Sequence, residues 1–520
     1  YLGPAPDIFD LDVEFSAASA YSEEEITAAL DGAVARIGEP YGTQFRNDTE
    51  AFVDGMNAFI DFLQTPEGLL KMPPEYLTLG LALGLEVPKF PPRPFTSEDI
   101  VINAVLIQSA LGYSGGGEAQ NVRLLQTLDP SIGPGTTALP QAACDTWRDL
   151  RHASVDDHYH TASGEFPTQS GFFSENCPLT LPAGVALWDV GSFEGYALLA
   201  TGDGIPLGPI TLPGLSAVPG FPGGELIGAP GDGGGGGGLV RNDYDLNDWD
   251  AIQIAGLTLP AAAPVVEAKR AQEWLVQTTP GDGLKQLLAG LGLPTTSSNW
   301  MAVHGSKTAS GHPIMVGGPQ TGYFNPQLLW EVAVISREGS PNDIAARGIT
   351  TVNIPYVVIG RGLDYVWTPT SAGSDFTDTR VSRMCNLDDS APSRDDADSD
   401  GFPDADGYLV NGECIAFYRR LDTWNAVPTP ASIALGGLPL PQVVNRRVLR
   451  THYGPVFATA TVNGEPVAIS TQRSTFLADV DAALPFGLMT TRGVEMSADR
   501  FQKLFNSMTA TFNWVYADDQ

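Results

Sequence analysis

Basic residues are scarce in this chain: 28 Lys and Arg face 61 Asp and Glu, a formal net charge of −33 at pH 7. A field of that sign repels phosphate backbones and anionic lipid surfaces, so no nucleic acid partner is expected. Long apolar runs are missing too. Hydrophobic residues make up 43% of the sequence, yet the longest uninterrupted stretches stay well short of the roughly 18–20 residues that cross a bilayer, and no membrane span is expected. Cysteine is limited to Cys144, Cys177, Cys385 and Cys414, whose spacings match no zinc pattern. Histidine is limited to six residues. His152 stands alone, His158 and His160 flank Tyr159, and His304, His312 and His452 lie in hairpin contexts, none at metal-ligand spacing from a Cys or an acid.

At 520 residues the chain exceeds the roughly 250–300 residues that one core serves, which points to a composite fold and excludes a disulfide mini-protein or a lone binding module. Gly 58 and Pro 41 exceed average usage without reaching low-complexity levels, so turns and loops should be frequent. The chain opens at Tyr1 with no Met and closes on Asp518-Asp519-Gln520 directly after an aromatic, strand-like run. A piece of a longer protein is the expectation, and the start says nothing about export. An even cysteine count in so acidic a chain suits two disulfides made in an oxidising compartment. The expected pairs are Cys144 with Cys177 and Cys385 with Cys414, the second closing the base of a loop too rich in Asp to fold on apolar burial. Four buried free thiols are the alternative.

Helical signals dominate as far as about residue 150. Ser22 before Glu23-Glu24-Glu25 reads as an N-terminal cap, and apolar residues then recur at three- and four-residue steps to Leu63. Glu50 to Leu63 forms one amphipathic helix, Pro73-Pro74 ends that region, and Ile100 to Leu111 is a further helix leading into Ser114 to Gly117. From Cys144 to Pro230 Gly and Pro interrupt the pattern, with strand-like runs at Val185 to Trp188 and Tyr196 to Ala200. Gly233 to Gly238 reads as a flexible spacer, and Val266 to Leu293 returns to helical periodicity. Beyond Asn299 the texture is that of strands: Trp300 to Val303, Pro313 to Val316, Tyr356 to Gly360, Tyr365 to Thr368, Val456 to Val462 and Thr511 to Tyr516. Helices followed by strands imply helical layers on a large antiparallel sheet and not a βαβ repeat.

The stretch that carries chemistry runs from Thr296 to Glu331. A Ser-Asn pair opens a strand, a Gly-Ser-Lys turn and a Gly-His-Pro turn follow, then a second strand and a Gly-Pro-Gln turn. This is a hairpin headed by a hydroxyl. By itself such a serine reads as a turn residue.

Ser298-Asn299, Gly305-Ser306-Lys307, Ala309, Gly311 and Gly318-Pro319-Gln320 together resemble the start of the catalytic chain of the penicillin acylase family. These are N-terminal nucleophile hydrolases whose precursors cut themselves to expose a Ser. Gly360 to Trp367 followed by Thr370-Ser371-Ala372-Gly373 resembles the family's turn and strand leading to its oxyanion hole. Arg450 to Val456, Phe512 to Asp518, Phe52 to Phe59 and Leu111 to Glu118 are also similar, so the resemblance covers most of the chain. A Trp three residues after the nucleophile, as the family often has, would select Ser297. The Asn directly behind Ser298 and the distances to Gly305 and Gln320 select Ser298.

The resemblance implies an α+β fold, the four-layer αββα sandwich, with a largely helical α-chain region. Residues 1–226 would be the partial α-chain, 227–297 a Gly-rich spacer and linker, and 298–520 the partial catalytic β-chain with an insertion at 385–414. It implies autocleavage between Ser297 and Ser298, an α/β heterodimer from one precursor, and hydrolysis of the amide of an N-acylated small molecule. β-Lactams, acyl-homoserine lactones and lipopeptides are the expected substrate types, in a secreted or periplasmic protein. Ser298 would be the nucleophile, its own α-amine the general base, the Ala372 N–H an oxyanion donor, and the Gln320 carbonyl the holder of the amine. Tyr113, Tyr323 and Phe324 would contact substrate. An Asn side chain completing the oxyanion hole is expected beyond Gln520.

Calcium is expected at two places. By resemblance, Asp375 and Asp378 with Glu118 would staple the two chains. Independently of any family, Asp396, Asp398, Asp400 and Asp404, with Gly401 for the turn, have alternating spacing like that of a calcium loop. A solvated acidic loop is the alternative. The rival to the enzyme is a non-catalytic extracellular calcium-binding protein on a hydrolase scaffold.

Overall fold

The computed structural model describes residues 20–71, 94–111, 117–152, 180–181, 184–195, 298–319, 329–336, 339, 343–372, 374–375, 377–398, 402–426, 442–491, 495–510 and 512–519. The Ser22 cap forms as its sequence requires. The Glu25 N–H donates to the Ser22 hydroxyl at 3.2 Å and the Ser22 N–H donates to the Glu25 carboxylate at 2.8 Å, filling two positions that a helix start leaves open. Helix α1 (Glu23–Ile37) then buries Ile26, Leu30 and Ala33 on one face. Helices α2 (Tyr41–Leu63), α3 (Pro66–Leu69), α4 (Ser97–Leu111), α5 (Glu118–Leu128) and α6 (Gln141–His152) follow.

Strand β1 (Glu194–Gly195) is short. Strands β2 (Ser298–Val303) and β3 (Ile314–Pro319) form the hairpin that the sequence implies. Next come β4 (Leu329–Ile335), β5 (Ala345–Thr351), β6 (Ile359–Arg361) and β7 (Tyr365–Ser371), then β8 (Thr377–Cys385), β9 (Gly407–Val410), β10 (Glu413–Ala416) and β11 (Tyr418–Ala426). The chain continues through β12 (Gln442–Thr451), β13 (Gly454–Val462), β14 (Glu465–Arg473), helices α7 (Leu484–Thr490) and α8 (Ala498–Phe505), and β15 (Phe512–Asp518). Among the described residues the strand pairings are antiparallel: beside the two-stranded β2–β3 hairpin there is one sheet ordered β15-β7-β6-β5-β4 and a larger one ordered β10-β9-β8-β14-β13-β12-β11, with β1 beside β13.

Each sheet carries a helical layer. Helices α1, α2 and α4 pack with α7 and α8 on the smaller sheet, burying Phe45, Val105, Trp367, Phe486 and Met489. On the larger sheet the side-chain period of two sorts residues by face. Val467 and Ile469 of β14 join Leu125, Leu139 and Trp188 on the side of α5 and α6, while Ala468 between them joins Phe402, Tyr408 and Phe417 on the other. The mixed α+β class therefore holds.

Two strand expectations change. Val185 to Trp188 forms no strand among the described residues. Trp188 is buried under α5, and the Asp189 carboxylate accepts from the Thr461 hydroxyl and from the Asn463 and Gly464 N–H groups, so the segment caps the β13–β14 turn. Tyr356 and Val357 precede β6, because both are drawn into the helical core and the Tyr356 carbonyl is taken by the Thr350 hydroxyl. Burial overrides strand propensity there. Pro73-Pro74, Tyr196 to Ala200, Gly233 to Gly238 and Val266 to Leu293 lie outside the described residues.

Arginines join the N-terminal helices to the strand-rich half. Arg450 of β12 donates to both oxygens of Glu25, at 2.5 and 2.8 Å, and to the Ala20 carbonyl at 2.8 Å. Arg36 reaches Asp481 at 2.5 Å, and Arg420 donates to the Tyr21 carbonyl. Beneath them Arg473 and Asp479 form a buried pair at 2.6 Å, onto which the Tyr21 hydroxyl donates. Burial and the facing carboxylate push the Tyr21 phenol well above its usual range, so it stays a neutral donor.

Burial pushes the Glu25 carboxyl up, but the Arg450 guanidinium and the Ser22 N–H outweigh it, and its pKa lies below the ordinary 4.5. A depressed carboxylate contributes stability that is present above the unfolded value and lost as pH falls through the folded one. Glu25→Gln should therefore cost about 2 kcal/mol at neutral pH and flatten the fall in Tm as pH drops below 4.5. An acid limb identical to that of the parent in a melting series would rule the linkage out.

Candidate active site

The β2–β3 hairpin is built by its own turns. The His304 imidazole Nδ1 accepts from the Ser306 N–H at 3.1 Å, and the Thr308 hydroxyl donates to the His312 carbonyl at 2.7 Å. In register, Ser298 lies opposite Pro319, Trp300 opposite Gly317 and Ala302 opposite Met315. The hairpin then lies on β7. Its turn is tied to the end of β15 by His312 and Asp519 at 3.0 Å. Its first residue is held at the opposite end, where the Thr370 hydroxyl donates to the Ser298 carbonyl at 2.5 Å.

Close approach makes glycine necessary in the middle. A Cβ on Gly317 would come within 2.6 Å of the Thr368 Cβ, closer than real Cβ atoms approach. Thr368 is 1% exposed, two residues before Thr370 on the same face of β7. Tyr365 at the start of that strand donates its hydroxyl to the Met489 carbonyl and anchors β7 to α7. Burial, with Asp364 nearby, pushes the Tyr365 phenol up to about 12.

Ala372, half-buried, follows β7 immediately and so stands two residues beyond the group that holds Ser298. β15 lines up beside this end, with Phe512 opposite Ser371 and Asn513 opposite Thr370. Ser298, Ala372 and the Phe-Asn-Trp segment thus gather at one end of the smaller sheet. Ser297, Gln320, Tyr113, Tyr323 and Phe324 lie outside the described residues. A cavity of about 540 Å³ lies between the hairpin and the sheet, walled by Met315, Gly317 and Thr368 and reaching Ile359, Arg361 and Arg347; Ser298, Thr370 and Ala372 do not line it. Thr368 and Thr370 escaped the sequence reading. A hydroxyl on every second position of a strand that leads to Ala372 was the available signal.

The expected calcium ligands are distributed differently. Glu118, first in α5, accepts from the Thr379 hydroxyl at 3.1 Å on one face of β8. Its neighbour Asp378 projects from the other face, paired with Arg380 at 2.7 Å, and Arg380 also bonds Gln472. Asp375 is exposed on the bend before β8. These three carboxylates are not brought around one point. In the acidic loop Asp396 and Asp398 are exposed, the Asp404 carboxylate accepts from the Ala397 N–H at 3.0 Å, and Asp400 lies outside the described residues. Among the described residues no three Asp, Glu, His or Cys side chains converge as a metal site. The loop itself is tied down. Cys385 at the end of β8 is bonded to Cys414 in β10, as expected, and Arg419 donates to the Pro403 and Ala405 carbonyls. Cys144 is also in a disulfide, and its expected partner Cys177 lies outside the described residues.

A family model described as Penicillin amidase matches residues 25–520. No curated protein matches the chain. Among solved structures, a thermostable penicillin G acylase from Alcaligenes faecalis is similar at 19% identity and a TM-score of 0.31, over 43% of this chain and 33% of that one. At that level the likeness adds nothing to what the family match carries.

Gly317→Ala should unseat the hairpin, lowering Tm and displacing Ser298 from Thr370. Adding Thr368→Gly, which removes the opposing atoms, should recover part of the loss, a coupling readable in a double-mutant cycle. Strictly additive effects would mean that the two residues do not press on each other.

Proposed function

The chain belongs to the penicillin amidase family, and from that premise we propose that it hydrolyses the amide of an N-acylated small molecule with Ser298 as an N-terminal nucleophile. Amide hydrolysis is what family membership supports. The observation that carries the finer reading is the Thr370 hydroxyl on the Ser298 carbonyl, two residues from Ala372. A nucleophile needs a fixed position relative to its oxyanion donor, and that hydrogen bond supplies a positional anchor.

In the proposed sequence the Ser298 hydroxyl attacks the Ser297 carbonyl, an N→O acyl shift that water resolves to free the Ser298 amine. An α-amine has a reference pKa of about 7.7–8.0, so near neutral pH a useful fraction is unprotonated and can accept the hydroxyl proton directly or through water. Ser298 then attacks the substrate carbonyl, and the oxyanion is met by the Ala372 N–H. The protonated amine returns its proton to the leaving nitrogen, and water hydrolyses the acyl-enzyme. The Gln320 carbonyl is the proposed holder of the amine. Under this reading the helical segment and the strand-rich segment are the two chains of a heterodimer, and the two helix-covered sheets correspond to the four layers of an αββα sandwich. The Cys385–Cys414 bond supports an oxidising, extracytoplasmic location.

For calcium the acidic loop is the better proposal of the two. Hard exposed carboxylates at Asp396 and Asp398 on a disulfide-closed loop suit a flexible oxygen site. Asp378 already has a cation in Arg380 and lies on the wrong face for Glu118. Calcium here would have a structural role and take no part in the amide chemistry.

Two measurements follow. The full-length gene product should yield a fragment that begins Ser298-Asn299-Trp300 on N-terminal sequencing, and Ser298→Ala should remain uncut. A parent that persists as one band, indistinguishable from Ser298→Ala, would eliminate the N-terminal serine. Chelation should lower Tm by several degrees, reversed by added calcium, and Asp396→Asn with Asp398→Asn should remove that response. A melting curve indifferent to chelator would remove calcium from the account.

A further inference from the structure

We infer that the disulfide-closed acidic loop works as a latch, in which Arg394 holds the segment from Asp189 to Gly195 against an open edge of β13 and so keeps the helical segment seated on the strand-rich one. For a two-chain protein this rests on the proposed cut before Ser298, since the latch then joins separate polypeptides.

The edge comes from the way β13 is paired. Strand β12 meets it at only two positions, Arg450 opposite Pro455 and Thr451 opposite Gly454. The register of β13 against β14 then shifts between Val456 and Ala458, and a bulge of this kind bends the strand that carries it. Past the bulge β1 lies beside β13, with Gly195 opposite Ala458 and Glu194 opposite Thr459. An extended segment from the far side of the proposed cut is thus added to a sheet of the strand-rich half, the mode by which strand edges take up peptides.

Two residue pairs make a weak ladder by themselves, and other contacts reinforce it. The Ser192 hydroxyl accepts from the Thr461 N–H at 3.1 Å and donates to the Asp189 carbonyl at 2.7 Å. Phe193 packs on Trp188, with ring centroids 5.3 Å apart, and the Arg123 guanidinium of α5 lies 4.7 Å from its ring. Gln126, also on α5, donates to the Trp188 carbonyl at 2.7 Å. The segment is therefore the footing of α5 on the larger sheet.

Arg394 closes the arrangement from the loop. Between Cys385 and Cys414 it is the single basic residue among nine Asp and Glu, in a position where neighbouring carboxylates attract it. Its partners among the described residues lie elsewhere: the guanidinium donates to the Ser192 carbonyl, 202 positions earlier, and meets the Glu194 carboxylate at 3.8 Å. Glu194 is 72% exposed, so the charge-assisted bond to the carbonyl carries most of the hold. The loop presents Arg394 from a braced backbone. The Ser393 N–H donates to the Asp404 carbonyl and the Asp404 N–H to the Asp395 carbonyl, each at 2.8 Å. Phe402 anchors the same loop in an apolar cluster, and the Cys385–Cys414 bond closes its base.

The test is amide hydrogen exchange on the full-length gene product, which reads the latch whether or not the chain is cut. Arg394→Ala should speed exchange at Ser192 to Gly195 and at Ala458 and Thr459 about tenfold or more, and leave β15 in the smaller sheet unchanged. Arg394→Lys should recover part of the protection, and Glu194→Gln should alter it little. Cys385→Ser with Cys414→Ser should loosen the same amides, and adding Arg394→Ala to that pair should bring little further change, because loop and arginine act as one unit. In cut protein, the helical chain should separate from the Arg394→Ala variant on size exclusion at a lower urea concentration than from the parent. The uncut Ser298→Ala protein carrying Arg394→Ala should show the exchange change without any separation. Equal exchange at Ser192 to Gly195 in Arg394→Ala and parent would overturn the latch, and so would a rise spread evenly over both sheets; neither bears on whether the chain is cut or hydrolyses amides. A local rise in a parent that is never cut would uphold the latch and overturn the N-terminal serine.

Discussion

Everything proposed for this protein depends on how closely the β2–β3 hairpin lies on β7. At one point the Thr368 side chain presses so near the hairpin backbone that Gly317 has no room for a Cβ, and at another the Thr370 hydroxyl reaches the carbonyl of the hairpin's first residue. The pair of contacts fixes both position and direction. Ser298 is carried to the end of the strand that leads into Ala372, and the hairpin turn is carried to the other end, where His312 meets Asp519. A strand face is a rigid support, so a residue fixed to it is held more accurately than one on a free loop. The same approach roofs the cavity walled by Met315, Gly317 and Thr368.

Scarce positive charge is used with economy in the rest of the molecule. Arg450, Arg420, Arg36 and Arg473 link the segment from Ala20 to Ile37 to residues beyond 418, over sequence separations of more than 400 residues in most cases. Such contacts do not require the intervening chain to be continuous. If the peptide before Ser298 is cut, the helical segment stays in place through these ion pairs and the shared apolar core of Phe45, Trp367 and Phe486. The buried Arg473–Asp479 pair has a desolvation cost that the Tyr21 and Thr475 hydroxyls help offset, and it specifies one docking geometry more than it adds stability.

Local signals were legible wherever a residue acts on its near neighbours. The Ser22–Glu25 box, the amphipathic α2, the hairpin from Ser298 to Pro319 and the Cys385–Cys414 closure of the acidic loop all follow from spacings of a few tens of residues or less. Where the environment is made by distant chain, the pattern misled. Val185 to Trp188 has the composition of a strand and caps a turn, and Tyr356 has the composition of a strand and is buried under α2. The alternating hydroxyls of Thr368 and Thr370 mark one face of a strand, but nothing near them in the chain shows that this face receives Gly317 and Ser298, some fifty and seventy positions earlier.

Sequence alone determined the α+β class, the acidic character of the chain, the hairpin and its leading Ser298, and the motifs by which the family could be named. Those features rest on composition, on periodicity and on short-range turn and cap chemistry, which need no knowledge of the fold. Tertiary structure decided which end of β7 receives Ser298 and which carboxylates lie on opposite faces of β8. Strand register settles these, since a shift of one residue sends every side chain to the opposite face, and register is chosen by packing between segments hundreds of residues apart.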